Sequence, residues 1–336
     1  MIQIYKGGLK VAGKSGIGQA VLHQETILKA AGMDVTDKWS DGAEVIHLNT
    51  VFPDTVLAAI RARLLGKHIV YYGHSTMEDF KNSFKGSNLL APLFKRWICF
   101  CYNLGDVIIT PTAYSKAILS GYRLKRPLVA VSNGIDTESF KPDAARRQAF
   151  RNKYQIGAEE KVVISVGHFM KRKGILDFIA LARRFPKVRF LWFGYTASQL
   201  VPTDIQKAMA DAPKNLCFAG FIPQESLKDA YCGADVFAFL SLEETEGIVV
   251  LEALASGTPA LVRDIPVYAD WLTDGDNAVK AQDMDGFVTG LTRLLEDSAF
   301  ANSLRVAGRQ TALGKNFQAV GKQMKAIYAK TGLMNT

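Results

Sequence analysis

The chain has only four cysteines and five histidines among its 336 residues, and no apolar run that approaches 18 residues. Cys99, Cys101, Cys217 and Cys232 show no C-x-x-C spacing, so a disulfide framework has no support and a reducing cytoplasm fits best. Without a longer apolar run no helix spans a bilayer. An opening of M-I-Q-I-Y-K starts directly on a strand and shows no signal peptide. Repeats and low-complexity tracts are absent too, and the length suits two domains of about 150 residues. Acid is scarce in the first half: residues 1–156 hold 12 Asp/Glu against 21 Lys/Arg, whereas 157–336 hold 20 of each. The net charge of +9 therefore belongs to the N-terminal half, which implies an anionic partner surface, nucleic acid or an anionic bilayer. No nucleic-acid recognition motif accompanies the charge, so the bilayer is the expectation.

What is present is concentrated in Ser241–Val262, S-L-E-E-T-E-G-I-V-V-L-E-A-L-A-S-G-T-P-A-L-V. The stretch before it, 234–240, reads as a buried parallel strand, and 251–256 as a helix ended by Gly257 and Pro259. A strand-to-helix loop presents unpaired backbone N–H groups above the sheet, where phosphate is the natural occupant. Gly247 lets the backbone come close, with the amides of Ile248 and Val249 following. Glu244 can take hydroxyl hydrogens from a sugar and Glu252 both hydroxyls of a ribose. Taken singly, each is also a glutamate that a helix start favours.

A second cationic loop lies at Gly167-His168-Phe169-Met170-Lys171-Arg172-Lys173-Gly174, between a strand at 161–166 and a helix. Three consecutive cations there suit a pyrophosphate better than packing. Earlier, a strand at 69–72 delivers Gly73-His74-Ser75-Thr76 at its carboxyl end, the edge where open α/β sheets bind ligands. Glu78 and Asp79 follow, as acceptor contacts or as helix-start acids. Between Phe80 and Gly105 there is no acidic residue, while Lys81, Lys85, Lys95 and Arg96 interleave with Trp97 and other aromatics and leucines. That composition fits a helix lying in a headgroup layer, or a domain helix with its cations on the wet side. Gly8–Ser15 satisfies the phosphate-loop pattern, but the strands at 45–48 and 69–72 end in Asn49 and Gly73 where magnesium would need an aspartate. Gly16-Ile17-Gly18 lacks the third glycine of a dinucleotide fingerprint. Asn133-Gly134 supplies a tight turn, and Asp274-Gly275-Asp276-Asn277 reads as a turn and not as a D-x-D metal site.

The string from Glu244 to Glu252 closely resembles the E-x7-E signature of family 4 retaining glycosyltransferases, with Thr245 and Glu246 in place of the usual Gly and Phe. A Thr-Glu pair there is similar to bacterial enzymes that glycosylate diacylglycerol glycolipids. Gly16, His74, the N-G-I-D at 133–136 and Lys173 resemble further family positions in the right order, though His168 stands where Arg is usual and Arg172 would supply that charge. The resemblance implies an α/β chain of GT-B fold, with two Rossmann-like domains facing each other across a cleft. Their expected extents are 1–156 for an acceptor-binding, membrane-facing domain, onto which a helix at about 316–336 packs back, and 157–315 for a nucleotide-sugar domain.

It implies retaining transfer of glucose or galactose from a UDP-sugar to a membrane glycolipid, most specifically monoglucosyl diacylglycerol, at the inner face of the cell membrane. His74 and Glu244 would be catalytic. Gly16, His168, Arg172, Lys173, Ile222, Gly247, Ile248, Val249 and Glu252 would bind the donor; Lys81, Lys85, Lys95, Arg96 and Trp97 would meet membrane or acceptor. No tightly bound metal or other cofactor, and no nucleic acid, is expected. Two rivals stand beside this: a soluble or polysaccharide acceptor, and a nucleotide hydrolase built on Gly8–Ser15.

Overall fold

Short Val/Ile-rich runs alternate with helices along the chain. In the computed structural model, which describes residues 1–8 and 16–333, they form two six-stranded sheets whose strand pairs are all parallel. The chain divides into two units: Met1–Phe80, Leu89–Asp136 and the chain from Lys315 on, and Lys81–Asn88 with Thr137–Gly314.

In the first unit the elements run β1 (Ile2–Ile4), α1 (Gly16–Ala30), β2 (Val35–Thr36), β3 (Val45–Leu48), α2 (Pro53–Leu64), β4 (His68–Tyr72), α3 (Met77–Phe80), α4 (Ser87–Asn103), β5 (Val107–Thr110), α5 (Ala113–Ser120) and β6 (Leu128–Ala130). The sheet order is β2-β1-β3-β4-β5-β6. Strands covered on both faces need apolar residues at successive positions, and Val45–Leu48 and Val107–Thr110 are buried throughout. One face packs on α2 and α4 through Val56, Ala59, Ala62, Ile98 and Tyr102. The other packs on α1 through Val21, Ile27 and Leu28.

The second unit runs α6 (Ala144–Lys153), β7 (Val162–Val166), α7 (Ile175–Arg184), β8 (Arg189–Phe193), α8 (Thr203–Ala210), β9 (Leu216–Gly220), α9 (Gln224–Gly233), β10 (Val236–Phe239), α10 (Ile248–Ala255), β11 (Ala260–Arg263), β12 (Val279–Ala281), α11 (Met284–Glu296) and α12 (Ser298–Leu313). Its sheet order is β12-β11-β10-β7-β8-β9, around a core that includes Phe178, Phe190, Trp192 and Ala238. The last helix, α13 (Phe317–Thr331), returns to the first unit, where Val320, Met324 and Tyr328 join the cluster under α1.

Two expected boundaries move. The stretch 137–160, read as linker, contains α6, whose Asp143 side chain caps the helix by accepting from Arg146 N. Arg146 reaches Asp229 at 2.7 Å and Arg147 reaches Asp235 at 3.0 Å, so the helix is clamped to the second unit, and the first unit closes at Asp136 where 156 was expected. Lys81 and Lys85 also leave the unit in which they were placed. Their segment joins the second unit, with Arg172 N donating to Asn82 O at 3.2 Å and Arg172 Nε to Ser83 Oγ at 3.1 Å.

Candidate functional site

The second sheet reverses direction of winding between β7 and β10, which lie side by side. Ligands of open parallel sheets sit outside the carboxyl ends of the strands at such a reversal. From β7 the chain passes through Gly167-His168 into a single 3-10 turn, Lys171–Lys173, and from β10 into the acidic loop 241–247. The two loops grow from the two strands that flank the reversal, so the cationic and acidic stretches picked out in the sequence become neighbours. Gly174 closes the cationic turn at φ 71°, and a Cβ there would lie 2.1 Å from the Leu240 carbonyl oxygen. Both left-handed strain and a backbone collision oppose any side chain. Gly174→Ala should therefore lower unfolding free energy by more than about 2 kcal/mol, read by urea denaturation.

Glu244 is the centre of this junction. It is 6% exposed, and its Oε1 receives Lys173 Nζ at 2.5 Å and Ser241 Oγ at 2.6 Å, with Arg172 Nη1 at 3.5 Å. Burial pushes its pKa up, but the charges of Lys173 and Arg172, with the bonds from Lys173 and Ser241, outweigh burial and hold it below the usual carboxylate range. Arg172 differs from expectation. Its guanidinium is turned inward, donating to Ser83 Oγ and, at 2.9 Å, to Glu243 O, so it holds the acidic loop in place.

His168, which stands where Arg is usual and was expected to leave that charge to Arg172, makes a backbone contact. Its ring meets the Tyr195 carbonyl at 2.6 Å through Nδ1, which must carry the proton and leaves Nε2 as an acceptor. Burial, reinforced by Lys173 and Arg172, outweighs that carbonyl and lowers its pKa, so the ring is neutral at pH 7.

Gly247 caps α10 at φ 83°, ψ 54°, and Ile248 and Val249 open the helix. A side chain at 247 would run into Tyr268, whose hydroxyl lies 3.0 Å from the Cβ position; that hydroxyl is buried and has no hydrogen-bond partner among the described residues. One turn further, Glu252 is 2% exposed and accepts from Tyr231 Oη at 2.8 Å. Burial raises its pKa to about 7 against the pull of Tyr231 and Lys228. A carboxyl raised above its unfolded value is comfortable while protonated, so its cost to the fold grows as pH climbs from about 4.5 to about 7. Glu252→Gln should remove that term: relative to wild type it gains on the order of 3 kcal/mol between pH 4.5 and 7.5, at about 1.4 kcal/mol per pH unit, in denaturation series at the two pH values. Ile222 follows β9 and is half-buried.

In the first unit His74 follows β4 and is 6% exposed, with Nε2 3.1 Å from Asn49 Oδ1. Glu78 takes a bond from Tyr122 Oη at 2.5 Å, which ties α3 to the end of α5. Gly16 opens α1 with no atom within 4 Å of its Cβ position; residues 9–15 of the phosphate-loop pattern lie outside the described residues. Gly134 has φ 70°, and its carbonyl faces His23 Nδ1 at 3.1 Å, so that turn is accounted for by packing. Asp274 Oδ1 accepts from Lys280 N at 2.8 Å within a turn, and among the described residues no group of three or more His, Cys, Asp or Glu is placed to hold a metal ion.

Helix α4 carries Lys95, Arg96 and Trp97. Lys95 Nζ stands 4.1 Å above the Tyr122 ring, and Trp97 Nε1 donates to Val51 O at 2.7 Å. Its inward residues are Ala91, Ile98, Cys101 and Tyr102, while Leu89, Leu93 and Phe100 are 86, 65 and 50% exposed. The sequence reading missed that α2 does the same. Ala58, Ala59 and Ala62 pack inward, and Leu57, Ile60 and Leu64 point out. The signal was there, a Leu57/Ile60/Leu64 stripe at helical spacing, but such a stripe ordinarily marks the core side. The two helices are neighbours: Arg63 on α2 reaches Leu104 O at 3.0 Å and Asp106 at 2.7 Å, just beyond the end of α4. Among the described residues no helix is long and apolar enough to cross a membrane.

Comparison with known proteins agrees with this arrangement. A profile described as glycosyl transferases group 1 matches residues 146–311, and one described as glycosyltransferase family 4 matches residues 33–139. The chain is 35% identical over 329 residues to a processive diacylglycerol alpha-glucosyltransferase of Acholeplasma laidlawii, covering 97% of each chain. It is 26% identical to an alpha-galactosylglucosyldiacylglycerol synthase of Streptococcus pneumoniae, over 80% of this chain and 73% of that one. Among solved structures, Anabaena HepE in complex with UDP and glucose superposes with a TM-score of 0.78 at 15% identity, covering 98% of this chain and 99% of that one. The sucrose-phosphate synthase of Thermosynechococcus elongatus gives 0.73 at 21% identity, over 86% and 74%.

Proposed function

Since the chain belongs to the group 1 glycosyltransferases, with family 4 and group 1 domains in a GT-B fold, we propose that it moves a hexose from a UDP-sugar, with retention of the α configuration, onto monoglucosyl diacylglycerol. The observation that carries this is Lys173 held at 2.5 Å from Glu244, in the loop that leads through Gly247 into α10, at the winding reversal of the second sheet. A diphosphate placed there would meet the Lys173 ammonium and the amides of Ile248 and Val249, so the leaving group would be neutralised by fixed charge and dipole with no tightly bound metal needed. Glu252 would take the ribose hydroxyls and Ile222 would lie against the base. His74 and Glu244 would contact the transferred sugar.

The acceptor is argued from the first unit and from the relatives named for diacylglycerol glycolipids. A lipid substrate has to be met at its bilayer, and the outward leucines of α2 and α4, with Arg96 beside Trp97, supply an apolar band with cations of the kind that anchors at anionic headgroups. The protein would then act as a peripheral enzyme at the cytoplasmic face. The deciding experiment incubates it with UDP-glucose or UDP-galactose and glucosyl-diacylglycerol, then weighs the lipid. A gain of one hexose supports the reading and names the donor. No gain, with transfer to a soluble saccharide instead, overturns the lipid acceptor, and phosphate release from ATP that Lys14→Ala abolishes would favour a hydrolase.

A further inference from the structure

The winding of the first sheet reverses between β1 and β3, and the residue that leaves β3 there is Asn49, 3% exposed. Its side chain is locked in a reciprocal amide pair with Gln24 of α1: Gln24 Nε2 donates to Asn49 Oδ1 at 2.5 Å, and Asn49 Nδ2 donates to Gln24 Oε1 at 3.1 Å. The pairing has one consequence for His74, which meets the same Asn49 Oδ1 through Nε2. An amide oxygen only accepts, so with the two amides in this sense Nε2 is the nitrogen that carries the proton. Flipping the amide to present Nδ2 to the imidazole would require Gln24 to flip as well, because a pair of facing amides is matched in only two senses. Among the described residues Nδ1 has no partner, and it is not one of the fully enclosed orphan nitrogens, whereas the Nδ1 of the neighbouring His47 is.

We infer that Asn49, held by Gln24, is a positioning residue that fixes His74 as its Nε2–H tautomer and so offers Nδ1 as a hydrogen-bond acceptor to a sugar hydroxyl. This rests on the proposed role of His74 in sugar contact. A hydroxyl donating to Nδ1 has its oxygen lone pairs freed to point elsewhere, which suits a hydroxyl that must be oriented or relieved of a proton; the other tautomer would present an N–H and bind the same hydroxyl the wrong way round. Among the described residues the ring meets Tyr72 of β4, stacked at 5.6 Å and 19°, and Asn49 from the end of β3, whose amide is paired with Gln24 of α1. None is charged at neutral pH, since burial pushes the Tyr72 phenol up. Burial correspondingly lowers His74 to about 4, so the acceptor form persists through the physiological range. Gln24 also links this atom to α1, the helix that begins at Gly16.

The test labels the five histidines with 15N and reads long-range nitrogen–proton correlations, with the His74 signals assigned by their loss in His74→Gln. Wild type should show a protonated Nε2 and a bare Nδ1; a protonated Nδ1 overturns the inference. Asn49→Leu should give mixed tautomers and lower kcat/KM for the lipid acceptor by about tenfold or more while UDP affinity holds. Should that variant fail to fold, Gln24→Met keeps the shape, frees Asn49 to flip, and should give the same mixture; an unchanged single tautomer overturns the clamp. Asn49→Asp keeps the bond but places a carboxylate on the ring, so the acid limb of the kcat/KM profile should move up by at least about one pH unit. A folded Asn49→Asp protein whose acid limb stays put overturns the positioning role. His74→Ala with undiminished transfer would overturn the role proposed for His74 in sugar contact, and the nitrogen spectra would still decide the tautomer.

Discussion

Lys173→Ala should lower kcat/KM for sugar transfer by at least about a hundredfold and weaken UDP binding by at least about tenfold. Two effects act in the same direction. The first is loss of the cation proposed to meet the leaving group, a kind of change that costs about two to three powers of ten when a single fixed donor is removed. The second follows from burial. With Lys173 gone, the 2.5 Å contact to Glu244 disappears and a carboxylate only 6% exposed keeps Ser241 and the longer contact to Arg172. Removing one partner of a buried pair costs about 3 to 5 kcal/mol when the other is left uncompensated, and here Ser241, Arg172 and movement of the loop offset part of that. Lys173→Ala combined with Glu244→Gln should therefore recover thermal stability without recovering transfer. Titration of UDP by calorimetry separates the terms, and unaltered UDP affinity in a folded Lys173→Ala protein would remove the donor site from the second unit.

The parallel sheets and the two loops at β7 and β10 were legible because each rests on local signals: Val/Ile runs long enough for a buried strand, then glycine, then charge. What the residues do with their charge was not legible. Arg172 and Lys173 are adjacent and alike in sequence, yet the short 3-10 turn points Arg172 back at Ser83 and the Glu243 carbonyl, with Glu244 only at 3.5 Å, whereas Lys173 meets Glu244 directly at 2.5 Å. Likewise the Nδ1–H tautomer of His168 depends on the Tyr195 carbonyl, 27 positions away in sequence. The pairing of Gln24 with Asn49 and of Tyr231 with Glu252 needs sheet order and helix crossing before it exists at all. The boundary at Asp136 escaped for a related reason. A charged, proline-containing stretch reads as linker, and only the acids at 229 and 235 reveal that its arginines have partners.

Leu64→Glu with Leu93→Glu should reduce affinity for anionic vesicles by at least about a hundredfold. The two leucines are 83 and 65% exposed on α2 and α4, helices whose cores are already supplied by Val56, Ala58, Ala59 and Ala62 and by Ala91, Ile98, Cys101 and Tyr102. Large apolar residues left outside, over an inward face of small ones on α2, depart from the usual amphipathic helix, and outward leucines recur on the neighbouring α4 of the same sheet face. Water gains nothing from such a surface, whereas insertion of each leucine into the acyl boundary contributes about 1.5 to 3 kcal/mol, and tenfold in affinity corresponds to 1.4 kcal/mol. Two glutamates add repulsion from anionic headgroups to the lost insertion. Because both side chains point away from the core, the double variant should keep its melting temperature and its UDP affinity. Transfer to glucosyl-diacylglycerol in vesicles should fall in step with binding, while transfer to the same lipid in detergent micelles, where the acceptor no longer has to be reached at a bilayer, should fall far less. Co-sedimentation with vesicles of anionic and of zwitterionic lipid reads the first effect. Equal sedimentation of wild type and variant with anionic vesicles would mean that this face does not meet the membrane.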